Sequence, residues 1–115
     1  MKKTIFFDSY YELLNNKINI VDRNLLINIA SLINDTNDRH GKVIIIGNGG
    51  SAAIASHLSI DLTKASKIRS VNFNESSLLT CFSNDYGYEH WAEKAIEFYA
   101  DKYDLVILIS SSGES

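Results

Sequence analysis

At 115 residues, 45% hydrophobic and 22% charged, the chain has the composition of one small globular domain. A formal charge of −3 with no Lys/Arg stripe argues against nucleic acid or an anionic membrane surface as the main partner. No apolar run is long enough for a membrane span, and the lone cysteine, Cys81, cannot form an internal disulfide, which suits a reducing cytoplasm.

The start, "MKKTIFFDSYYE", is basic and briefly apolar, but acid arrives too early for a signal peptide. Phe6, Phe7, Tyr10, Leu13 and Leu14 fall at spacings of three and four and predict a helix over 4–16. Leu25, Ile29, Leu32 and Ile33 predict a second over 21–36, with Gly41 as its stop. The continuously aliphatic "KVIIIG" (42–47) reads as a strand buried on both faces. Ser51 is placed to cap a helix over 52–65, and "IRSVNF" (68–73) reads as a second strand. "ESSLLTCFSNDYGYEH" mixes a short helix, with Cys81 as a buried core thiol, and a polar turn at 83–87. A helix over 88–101 is expected to turn Trp91, Ala95, Phe98 and Tyr99 inward, and "YDLVILIS" (103–110) reads as a third buried strand.

Strand, helix, strand, helices, strand is the order of an α/β three-layer sandwich built on a parallel, Rossmann-like or flavodoxin-like sheet. The expected organisation is a single domain over 1–115, with a helical segment at 1–40 and a parallel core at 41–115. Ser115 follows a buried strand directly, where such a sheet ordinarily continues into a covering helix. The expectation is therefore that these residues are the front part of a longer protein, incomplete at the C-terminus.

Ligands on parallel sheets bind beyond the carboxyl ends of the strands. Two polar turns fall there. "GNGGS" places Gly47, Gly49 and Gly50 where backbone must approach a ligand closely, ahead of a helix start whose N–H groups and dipole favour an anion. "SSSGES" adds the hydroxyls of Ser110, Ser111, Ser112 and Ser115 around Gly113. Converging neutral donors suit a phosphate that must leave again. Each turn alone is equally consistent with tight-turn and capping chemistry. Gly47, Gly49 and Ala52 also satisfy a G-x-G-x-x-A dinucleotide fingerprint, with Glu75 as a ribose acceptor, but that scheme gives the serines no role. A P-loop is excluded because no G-K-[ST] follows, and the G-x-S-x-G elbow is absent. His57 and Asp61, four apart, share a helix face. They are either a surface pair or a pair able to bind metal or move protons between adjacent sugar carbons.

"GNGGSAAIASHLSIDL", "CFSNDYGYE" and "ISSSGES" together resemble the sugar isomerase (SIS) domain, and more narrowly the phosphoheptose isomerases, over essentially the whole chain. The resemblance implies an aldose–ketose isomerase acting on sedoheptulose 7-phosphate to give the manno-heptose 7-phosphate, a precursor of lipopolysaccharide or surface polysaccharide. It implies substrate contacts from Asn48, Gly49, Gly50 and Ser51, a sugar site lined by Asn84 and Asp85, and a phosphate loop of Ser110, Ser111, Ser112 and Ser115. His57 matches the family's zinc-binding histidine. Asp61 falls where the family has a metal-binding, acid–base glutamate, so zinc, a homotetramer formed through the leading helices (Tyr10 and Tyr11 among them) and a cytoplasmic location follow from the resemblance.

Three departures qualify it. Asp61 reaches roughly 1.5 Å less far than glutamate, about one C–C bond. Glu114 replaces the asparagine common in the second loop. The family's remaining zinc ligands, a glutamine and a histidine on a C-terminal helix, have no counterpart, so these residues alone are expected to lack activity. A non-catalytic SIS module, binding a sugar phosphate or a protein partner in the manner of the relative associated with the bacterial replication initiator, is the alternative. His90 and Trp91 are expected to pack rather than catalyse, and His40 to be solvated.

Overall fold

The computed structural model describes residues 2–115. In chain order the elements are α1 (Lys2–Asn19), α2 (Arg23–Asp38), β1 (Val43–Gly47), α3 (Gly50–Lys64), β2 (Ser70–Val71), α4 (Ser76–Tyr86), a 3-10 turn (Tyr88–His90), α5 (Trp91–Tyr99) and β3 (Leu105–Ile109). The chain forms two compact units, Met1–Ala30 and Ser31–Ser115, the division falling inside α2. The first unit is helical. Its apolar side chains, including Phe6, Tyr10, Leu13, Leu25 and Ile29, are exposed, and Phe6 and Tyr10 stack with ring centroids 6.5 Å apart.

In the second unit the three strands form an open parallel sheet in the order β2-β1-β3. Val43 lies opposite Ser70 and Leu105, and Gly47 opposite Ile109. All five residues of β1 are buried, as a continuous aliphatic run requires. Because successive side chains alternate, Val43 and Ile45 pack on one face with Ala55, Leu58 and Leu62 of α3, Ile68, and Ile33 of α2. Ile44 and Ile46 pack on the other with Phe73, with Leu78, Leu79 and Phe82 of α4, and with Trp91 and Ala95 of α5. Helices therefore cover both faces, and the three-layer α/β arrangement expected from the element order is the one observed.

Several local expectations change. The strand expected over 68–73 pairs only at Ser70 and Val71. Thr63 of α3 takes up the outer backbone groups of Ser70, donating to its carbonyl and accepting from its N–H. Asn72 then accepts from the Asn74 N–H and turns the chain out of the sheet. The polar turn expected at 83–87 is helical as far as Tyr86, because Glu75 starts α4 by accepting from the N–H groups of Ser77 and Leu78 at 3.1 and 2.9 Å. Those two bonds hold the Glu75 carboxyl below the usual range. Cys81, expected in the core, is exposed. Trp91 and Ala95 face inward as expected, but Phe98 and Tyr99 are 60% and 51% exposed. The third strand is only partly buried, with Leu108 71% exposed on the edge of the sheet. Gly41 is not the left-handed residue that ends α2. His40 takes that role at φ 60°, and Gly41 is needed because a Cβ there would lie 2.3 Å from the Tyr103 carbonyl oxygen. Among the described residues no helix is long and apolar enough to cross a membrane.

At the amino ends of β1 and β3, Lys42 and Asp104 join the strands. The Lys42 backbone N–H and ammonium donate to the two Asp104 carboxylate oxygens at 2.8 and 2.5 Å, and Asp101 adds an exposed partner for the ammonium at 2.8 Å. The Asp104 side chain is only 3% exposed. Burial pushes its carboxyl up, but the Asp101 N–H, the Lys42 ammonium and the Lys42 N–H outweigh it and hold the group below the usual aspartate range. A carboxyl depressed on folding stabilises above the unfolded pKa, near 4, and that stability is lost as pH falls through the lower folded value. Asp104→Asn is expected to cost about 3 kcal/mol in urea unfolding at neutral pH. The deficit should shrink as both proteins are titrated below pH ~4.

Candidate functional site

The turn after β1 owes its tightness to two glycines. A Cβ on Gly47 would lie 2.6 Å from the Ser51 carbonyl group, so the strand end can pass the start of α3 only as glycine. Gly49 sits at φ 54°, ψ −120°, in the positive-φ region that glycine favours. The Asn48 carbonyl accepts from the N–H groups of Ser51 and Ala52 at 2.9 and 3.3 Å. No side chain caps α3. Ser51, expected as the cap, lies within the first turn of the helix, and Gly49 holds the cap position. The positive end of the helix dipole is thus left without a side-chain acceptor.

The turn after β3 is folded on its own hydroxyls. Ser110 Oγ accepts from the Gly113 N–H at 2.9 Å and lies 2.9 Å from Ser115 Oγ. Ser112 Oγ accepts from the Glu114 N–H at 3.1 Å, and Gly113 adopts φ 75°. The bond between the Ser110 and Ser115 hydroxyls uses one of their two protons and leaves the other to donate.

Both turns open on one cavity of about 420 Å³. Ile46, Gly47 and Asn48 form the wall from β1, and Leu108, Ile109, Ser110 and Ser115 the wall from β3. Tyr88, Glu89, Trp91 and Ala92 close it from the 3-10 turn and α5. Asn48, Ser110 and Ser115, three of the sequence-predicted ligand residues, therefore meet in a single space. Gly49, Gly50, Ser51, Ser111 and Ser112 belong to the same two turns without lining it. Asn84 and Asp85 occupy the last turn of α4, exposed, with Asn84 donating to Asp85 at 3.1 Å. Asp85 also accepts from the Cys81 thiol at 3.6 Å. That bond and the Asp85 charge push the thiol's pKa up, which leaves it a poor nucleophile. The wall of Tyr88, Glu89 and Trp91 was not singled out as a site from the sequence. Its one signal is that "YGYEHW" follows the Asn84-Asp85 pair directly.

His57 and Asp61 stand apart from this cavity. They lie on α3, which covers the Val43/Ile45 face, whereas Trp91 and Ala92 belong to the Ile44/Ile46 face. Their side chains are 77% and 60% exposed, with Nε2 and Oδ2 3.5 Å apart. Neighbouring ligands of tetrahedral zinc lie about 3.3 Å apart, so the spacing suits two donors on one ion. The number of donors does not: among the described residues no group of three or more His, Cys, Asp or Glu is placed to hold a metal. Two donors fall short of the three or four protein ligands that a zinc ion takes.

Taken together, these elements define an α/β protein with a cavity at the carboxyl ends of two parallel strands, where Asn48, Ser110 and Ser115 offer neutral hydrogen-bond donors. Comparison with known proteins is specific. The chain is 35% identical over 113 residues to the phosphoheptose isomerase of Histophilus somni, covering 94% of this chain and 56% of that protein. It is 38% identical over 90 residues to that of Helicobacter pylori strain P12, covering 73% of this chain and 47% of that protein. The structure of a phosphoheptose isomerase from Neisseria gonorrhoeae superposes with a TM-score of 0.86 at 28% identity, over 99% of this chain and 61% of that one. One from Francisella tularensis superposes at 0.87 with 22% identity, over 100% and 65%, and bears on the fold alone. No protein-family model matches. In sequence and fold the chain is phosphoheptose isomerase-like over most of its length, with the SIS architecture, and it spans about half the length of the curated relatives it matches.

The separation of the two regions has a measurable consequence. Gly47→Ala is expected to cost about 1–3 kcal/mol through overpacking and to abolish inorganic phosphate binding. His57→Ala should leave both thermal unfolding and phosphate titration unchanged.

Proposed function

We propose that this chain forms the phosphate-holding part of an aldose–ketose isomerase that converts sedoheptulose 7-phosphate to D-glycero-D-manno-heptose 7-phosphate for lipopolysaccharide or surface polysaccharide synthesis. The observation that carries the reading is the cavity on which both glycine–serine turns open. Asn48, Ser110 and Ser115 line it, and the uncapped start of α3 follows immediately. Neutral hydroxyls and N–H groups hold a phosphate without a fixed countercharge, and so let the product leave. Gly49, Gly50, Ser51, Ser111 and Ser112 complete the two turns, and Asn84 and Asp85 are the proposed sugar contacts.

Isomerisation needs a base to take the proton from C1 of the ketose and return it to C2 through an enediol. Such assistance is worth roughly a hundred- to ten-thousand-fold. Asp61 is the proposed carboxylate, with His57 beside it. Zinc is proposed as the cofactor, with these two residues among its ligands and the others lying outside the described residues. When bound, it would polarise the substrate oxygens. We further propose a homotetramer built through the exposed apolar faces of α1 and α2, since apolar surface of that extent marks an interaction site. A cytoplasmic setting accords with a sugar-phosphate substrate and an unpaired thiol.

Calorimetric titration with sedoheptulose 7-phosphate tests the central reading. Binding by the wild type, weakened about tenfold or more in Ser110→Ala, is expected, with no aldose formed by this chain alone. Failure of the wild type to bind the sugar phosphate would sink the proposal. The assembly is tested separately by light scattering: a tetramer is expected, and Phe6→Glu with Tyr10→Glu should yield monomers of unchanged helicity.

A further inference from the structure

From the geometry we infer that Glu89 selects polyhydroxylated phosphates over simple ones in this cavity, a role that rests on the sugar-phosphate reading above. Three observations converge on it. Among the described residues Glu89 is the only acidic side chain lining the cavity, on a wall opposite in chemistry to the neutral donors of Ser110 and Ser115. Its carboxylate makes no hydrogen bond or ion pair among the described residues, although the next acids along the same stretch are both engaged, Glu93 with His90 at 3.0 Å and Glu97 with Lys94 at 2.6 Å. Finally, Gly87 gives the carboxylate its seat. A Cβ there would lie 3.3 Å from the Glu89 carboxyl carbon, and φ 95° at that position already disfavours any other residue.

A free carboxylate is an acceptor only. Against a ligand's phosphate it is repulsive, so it turns the phosphate toward the serines and the helix start. Against a sugar's hydroxyls it accepts hydrogen bonds, including charge-assisted ones, that a ligand without hydroxyls cannot offer. The same side chain thereby fixes which end of the ligand goes where and penalises phosphates that carry no hydroxyls. Tyr88 and Trp91 on the same wall offer flat apolar surface for the carbon-bound hydrogens of the chain.

The test is a pair of calorimetric titrations on the full chain, with sedoheptulose 7-phosphate and with propyl phosphate, which has the phosphate but no hydroxyls. The wild type is expected to prefer the sugar phosphate. In Glu89→Leu that preference should fall by about ten- to a hundredfold, while propyl phosphate binds as well as before or better. Glu89→Gln, whose amide oxygen still accepts, should recover most of the preference. Glu89 is exposed, so both variants are expected to fold, as circular dichroism will check. An unchanged preference in Glu89→Leu overturns this inference and leaves the phosphate site standing. A wild type that binds neither compound overturns the sugar-phosphate reading and this inference with it.

Discussion

A strand with every residue buried dictates the rest of this molecule. Val43, Ile44 and Ile45 are fully inaccessible, and since their side chains alternate, no single layer of helices can cover them. The chain must cross from one face of the sheet to the other, and α3 takes one face while α4 and α5 take the other. Parallel pairing follows from those crossovers, and with it the placing of two strand ends, Gly47 and Ile109, side by side. The cavity is a consequence of that register. Its two polar turns are 60 residues or so apart in sequence and adjacent only because β1 and β3 are neighbours in the sheet. Lys42 and Asp104 secure the same pair of strands at the opposite end, so the register is held where no ligand contact is needed.

The features legible in the sequence were those with a strong local cause. The aliphatic run of β1 announces double burial, and the glycines after it announce a turn with backbone exposed to a ligand. The parallel α/β class follows from element order alone. What the sequence concealed depends on tertiary competition. Residues 68–73 have the composition of a strand, but only Ser70 and Val71 pair: Thr63 occupies the outer backbone groups of Ser70, and Asn72 accepts from the Asn74 N–H as the chain leaves the sheet. Cys81 looks like core because it stands among apolar residues. On α4, however, the inward positions are Leu78, Leu79 and Phe82, and Cys81 falls between them on the outer side. Gly41 was expected as the stop of α2, but the left-handed φ falls on His40, and glycine is needed at 41 for the close approach to the Tyr103 carbonyl.

The site was half legible for a related reason. Asn48 and the serines are recognisable because their motifs are contiguous. Glu89 is not, since nothing in "YGYEHW" separates an acid on a cavity wall from the acids at 93 and 97. Only the pairing of Glu93 and Glu97 with local cations, and the lack of such a partner for Glu89, distinguishes them. An exposed ion pair of that kind contributes little stability, but it does decide which carboxylate remains available to a ligand.

The His57–Asp61 pair shows how far shared position on a helix can carry an argument. A spacing of four residues guarantees that the side chains meet, and they do, at 3.5 Å. It does not determine what the shared face looks onto. Counted from Gly50 at 1.5 Å per residue, His57 and Asp61 lie about 10 and 16 Å down α3, on the side of the sheet away from Trp91. In the proposed reading, holding an anion and moving a proton thus fall to different surfaces of the same helix: its uncapped start follows the cavity wall, and its outer face carries the His57–Asp61 pair. Shortening Glu to Asp at 61 draws the carboxylate closer to the helix axis, which favours the local pairing with His57 over reach toward a substrate. The phosphate-binding and acid–base parts of the proposed reaction therefore stand or fall independently.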